Sequence, residues 1–96
     1  MTKLTETQIQ ESLKGLGEWS EASGAIQRTF QFADFVEAMR FVNQVADEAE
    51  AQQHHPDILI RYNRVMLTLS THDAGGITGK DFALAEFAEG LIAQGV

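Results

Sequence analysis

The chain has 96 residues, a formal net charge of −7 from 14 acidic against 7 basic side chains, and no cysteine. That length predicts one domain, the acidic balance without a basic patch argues against direct binding to nucleic-acid phosphates, and the absence of thiols excludes a disulfide framework or a thiolate metal site. No apolar run approaches the roughly 18 residues of a membrane span, and the polar start Met1 to Glu6 has no signal-peptide core, so a soluble cytoplasmic protein is expected.

Thr5 followed by Gln8 reads as a capping box that opens a first helix over residues 5–16, with Ile9, Leu13 and Leu16 on one face and Gly15 and Gly17 closing it. Trp19 begins a short strand, Ser23 and Gly24 turn, and Ile26, Arg28, Phe30 and Phe32 share one face of the return strand. Asp34 with Glu37 predicts a second capping box and the longest helix, residues 34–52. Its inner stripe is predicted as Phe35, Met39, Val42, Ala46 and Ala49. Phe41 and Val45 lie to one side of that stripe; they suit either a widened core face or, in a domain with little surplus burial, a subunit contact.

Pro56 cannot lie within a helix, so the second helix should end before His54 and His55. Two strands follow, with Ile58, Ile60 and Tyr62 alternating on the first and Val65, Leu67 and Leu69 on the second after a tight turn near Asn63; Tyr62 is expected in the core with its hydroxyl at the rim. His72 ends that strand in phase with Met66, Thr68 and Ser70. A loop with Gly75 and Gly76 leads to Thr78 as N-cap, Asp81 at the box position, and a last helix carrying Phe82, Ala85, Ala88, Leu91 and Ile92. Both strand pairs are joined by connections too short for a parallel crossover. The predicted fold is therefore α+β, in the order α-β-β-α-β-β-α, a four-stranded antiparallel sheet with helices packed on one face.

The chemistry-bearing residues gather around the second hairpin: His54 and His55 precede the only proline, and His72, the third histidine, follows. An imidazole with an ordinary pKa of about 6.5 both gives and takes protons near neutrality. Three other arrangements fit less well. The stretch Gly75 to Lys80 lacks the first glycine of a phosphate-binding loop, which is Ala74 here, and Asp81 stands where the magnesium-binding hydroxyl belongs. Ser70, His72 and Asp73 fall on one strand, where neighbouring positions point to opposite faces, so they do not line up as a nucleophilic triad. Glu50, His54, His55 and His72 include metal-ligand types, but adjacent histidines in extended chain diverge, so no metal is expected.

Taken together, Glu50, His54-His55-Pro56, Tyr62, His72 and Asp81 resemble the spaced signature of the pterin-4a-carbinolamine dehydratases, the DCoH family. The similarity extends through Trp19, the run Phe30-Gln31-Phe32-Ala33-Asp34-Phe35 and the run Leu67-Thr68-Leu69-Ser70-Thr71-His72, nearly the whole chain. Gln53 stands where animal members carry an acidic residue, and Ala74 where they carry a cysteine.

The resemblance implies a cofactor-free hydro-lyase that converts 4a-hydroxytetrahydropterin to quinonoid dihydropterin and so recycles the pterin of an aromatic amino acid hydroxylase. It implies His54 and His72 as acid–base groups and His55 as a residue orienting the ring, all three in the catalytic set. Glu50 would hold an imidazole or the pterin amino group, or else be a solvated helix end. Trp19 and Pro56 would form flat apolar walls, with ordinary core packing the alternative for Trp19. Asp81 belongs to the motif and is also explained by its capping position. Homodimers or homotetramers through helix 34–52 are implied, and so is an alternative role as a pterin-binding or protein-dimerisation module without significant turnover.

Overall fold

The computed structural model describes residues 2–95. In chain order the elements are α1 (Glu6–Leu13), β1 (Ser20–Ala22), β2 (Ala25–Gln31), α2 (Phe35–Gln52), β3 (Asp57–Arg61), β4 (Arg64–Leu69), a 3-10 turn (His72–Ala74) and α3 (Gly79–Ala93). The order predicted from periodicity is the order found.

Capping chemistry explains where the helices start. Thr5 and Gln8 exchange both bonds of a capping box, and Thr78 and Asp81 do the same at α3. Asp34 accepts the Glu37 amide at 2.9 Å and so caps α2, but no return bond from the Glu37 side chain exists among the described residues. The predicted box is half a box.

The four strands form one antiparallel sheet ordered β1-β2-β4-β3. The register opposes Ile26 to Leu69 and Phe30 to Val65, which puts the apolar members of β2 and β4 on one face. Phe41 and Val45 of α2 and Leu84, Ala85 and Ala88 of α3 cover that face, all without solvent exposure. The other face is uncovered by helices and carries a row of polar side chains, since Gln27 and Asp57 both pair with Thr68.

Three expectations are corrected. The buried stripe of α2 is Ala38, Phe41, Val42, Val45 and Ala49, whereas Phe35 is 47% exposed and Ala46 also faces solvent. The rotation follows from the sheet: the Phe41 ring packs 4.7 Å from Phe30 and 5.0 Å from Phe32, which fixes Phe41 inward and leaves Phe41 and Val45 no part in a subunit contact. Tyr62 is not core; it sits at the β3–β4 turn, 66% exposed, with φ +50°. His72 does not end a strand, because β4 stops at Leu69 and His72 opens the 3-10 turn. No helix among the described residues is long and apolar enough to cross a membrane.

Candidate active site

One turn separates the adjacent histidines. At the end of α2 the Gln53 amide donates to the Glu50 carbonyl (3.2 Å) and the His54 amide to the Ala49 carbonyl (3.0 Å), the pattern of a Schellman motif, with Gln53 in the left-handed region at φ 52°. His54 is thereby turned beneath the helix end and is buried, while His55 remains exposed. Pro56 has no amide hydrogen to extend the turn, and β3 begins directly after it.

His54 Nε2 lies 2.5 Å from Asp81 Oδ1. Asp81 has no solvent exposure, and its second oxygen accepts from the Thr71 hydroxyl at 2.9 Å and from the Thr78 amide at 2.8 Å. Every oxygen of the buried carboxylate is therefore engaged, as burial of a charge requires. Asp81 serves both as the box residue of α3 and as the partner of His54. His55 Nε2 shares a 2.5 Å hydrogen bond with Glu50 Oε2, but these side chains are 59% and 71% exposed. Each of the paired histidines has its own carboxylate, one dry and one wet.

His72 is delivered by a closed loop. The Thr71 amide donates to the Gly76 carbonyl at 2.9 Å and the Gly75 amide to the His72 carbonyl at 3.0 Å; Gly75 has φ +76°, a conformation that suits glycine. Two depressions meet at this loop. A cleft of about 560 Å³ on the uncovered sheet face is floored by Gln27, Thr68 and Asp57 and walled by His55, Ser70 and His72. A shallower one of about 240 Å³ is lined by His54, His55 and His72 together with Gln53, Ser70, Thr71, Asp73 and Lys80. The larger cleft falls in the size range of small-ligand pockets, but only the smaller has all three imidazoles on its walls. His55, Ser70 and His72 form the rim they share, so a flat ligand across that rim would touch every histidine.

Of the remaining predicted residues, Glu50 and Asp81 line neither depression but hold the histidines that do. Pro56 is half-buried and lines neither. Trp19 is not brought to the site: it is 5% exposed, packs edge-on to Phe30 and donates its indole N–H to Glu89 at 2.8 Å. Sequence reasoning missed Gln27 and Thr68, visible only once strand register is known, and the hydroxyl pair Thr71 and Thr78. The signal for Thr71 was its place directly before His72.

Three imidazoles around one opening can donate a proton at one point and remove one at another. A family model described as pterin 4 alpha carbinolamine dehydratase matches residues 2–91. The chain is 55% identical over 84 residues to a protein of Picosynechococcus sp., covering 88% of this chain and 91% of the relative. It is 53% identical over 92 residues to one of Acidobacterium capsulatum, covering 96% and 100%; both relatives are provisionally named pterin-4-alpha-carbinolamine dehydratase. The solved structure of a Brucella melitensis protein described as a transcriptional coactivator/pterin dehydratase superposes with a TM-score of 0.90 at 38% identity, over 93% of this chain and 97% of that one. On these matches the chain belongs to the pterin-4a-carbinolamine dehydratase family.

Proposed function

We propose that residues 1–96 act as one domain that dehydrates a 4a-hydroxytetrahydropterin to quinonoid dihydropterin by histidine acid–base catalysis. In that step the C4a–O bond breaks and the oxygen leaves as water after gaining a proton. N5 gives up its proton and its electron pair forms the N5=C4a double bond, so atoms and electrons balance without a cofactor. His54 protonates the departing hydroxyl, His72 takes the N5 proton, and His55, held by Glu50, orients the ring. The observation that carries this reading is the single depression lined by His54, His55 and His72, in a chain matching the family over residues 2–91. Pro56 contributes by setting the direction of His55 rather than as a wall. The product would return to an aromatic amino acid hydroxylase through a reductase, in the cytoplasm.

The test is turnover of freshly generated carbinolamine. His54→Ala and His72→Ala should each lower kcat by about 10² to 10⁴; wild-type rates in both variants would sink the mechanism.

Self-association would use the outer face of α2, where Phe35 is 47% and Val36 62% exposed and Met39 and Arg40 adjoin them. The same surface suits the second reading, a protein-binding module, which the coactivator description of the Brucella melitensis neighbour favours. No turnover above the uncatalysed rate, with a partner retained on Val36-containing but not Val36→Glu protein, would select it.

A further inference from the structure

A string of donors runs from the start of α3 to His54. The Lys80 amide donates to Thr78 Oγ1 at 3.2 Å, Thr78 Oγ1 lies 2.7 Å from Thr71 Oγ1, and Thr71 Oγ1 donates to Asp81 Oδ2 at 2.9 Å. A threonine hydroxyl has one proton to give. Thr71 directs its proton to Asp81, so the proton between the two threonines must come from Thr78. Thr78 in turn accepts from Lys80. With the Thr78 amide also on Oδ2, that oxygen of Asp81 receives two donors. The direction of every bond in the string is thus determined, and Asp81 faces His54 as an acceptor.

We infer that Thr71 is a positioning residue, whose hydroxyl holds Asp81 so that His54 keeps Nε2–H on the carboxylate and presents Nδ1, the nitrogen that carries the proton for the hydroxyl, to the reaction. Nδ1 has no protein hydrogen-bond partner among the described residues. Thr71 is 8% exposed and Thr78 and Asp81 are not exposed at all, so water does not replace a lost bond at low cost. The backbone of the same residue closes the loop that carries His72, so one residue places both proposed acid–base groups, His72 by its main chain and His54 by its hydroxyl. The inference rests on the reading of His54 as an acid–base residue.

The discriminating variant is Thr71→Val, which keeps the side-chain shape and removes the hydroxyl; Thr71→Ala serves if the valine protein does not fold. With ¹⁵N-labelled histidine, the wild type should show a slowly exchanging, strongly downfield His54 Nε2 proton. In Thr71→Val that proton resonance should move upfield or broaden by exchange, and kcat should fall about 10-fold to 100-fold, the range for loss of an orienting partner one step removed. KM should stay within about twofold, since ground-state binding is untouched. Thr71→Ser should restore both signals. A folded Thr71→Val protein with an unmoved His54 resonance overturns the inference. A resonance that responds as stated in a protein whose wild type has no turnover leaves the relay standing and removes the dehydratase reading instead.

Discussion

Asp81 and His54 meet 2.5 Å apart with no solvent on the carboxylate, whereas Glu50 and His55 make a bond of the same length in the open. The two pairs should respond differently to the same isosteric change. Asp81→Asn introduces an amide that cannot accept at both positions, leaving buried donors unmatched; unfolding in urea should show a loss of about 1–3 kcal/mol. Glu50→Gln should change stability by no more than about 1 kcal/mol, as exposed ion pairs do.

The position of Phe41 against Phe30 and Phe32 redirects any test of assembly. Phe41→Ala should cost about 3–5 kcal/mol in denaturant titrations, because it empties a site with no solvent exposure. Val36→Glu, on the exposed face, should stay within about 0.5 kcal/mol of wild-type stability. Light scattering of Val36→Glu then reads association without the confusion of unfolding, and unchanged mass beside an associating wild type would count against the α2 contact.

Order of elements, sheet type and the caps at Thr5 and Thr78 were legible in the chain because periodicity and capping are local signals. The rotation of α2 was not. Phe35, Met39, Val42, Ala46 and Ala49 make one stripe on a helical wheel, and only Phe30 on β2 and Phe32 directly after it decide between that stripe and the one through Phe41 and Val45. The three histidines and their two carboxylates were legible through spacing and resemblance. Their division into a buried and an exposed pair depended on the Gln53 turn, and of the two readings open for Trp19, wall or core, only the packing against Phe30 selects the core.

Gln53 occupies a left-handed position usually held by glycine. Gln53→Gly should raise stability by about 0.5–1 kcal/mol, relief of the steric cost of a Cβ being partly offset by the lost side-chain bond to the Glu50 carbonyl. Gln53→Val should lower it, since a β-branched residue fits that conformation worst. Midpoints of thermal unfolding measured side by side check the ordering.

Glu21 offers a pH test away from the site. Its carboxyl is raised by the hydrogen bond and charge of Glu6, while Glu6 is lowered by the Gln10 amide. A raised carboxyl favours folding when protonated, so its contribution is present at acid pH and is lost as pH rises through the folded-state value. Glu21→Gln should therefore gain stability over wild type at neutral pH and lose that advantage in acid. A constant difference across pH would refute the coupling.

The Schellman turn at Gln53 has a consequence for chemical labelling. It leaves two neighbouring imidazoles with unequal access to anything that must diffuse to them. An acylating reagent selective for imidazole should modify His55 and His72 quickly and His54 slowly, so inactivation should follow a two-phase time course. Substrate bound across the shared rim would shield the fast phase first, so a single reaction trace separates the one buried ring from the two exposed ones.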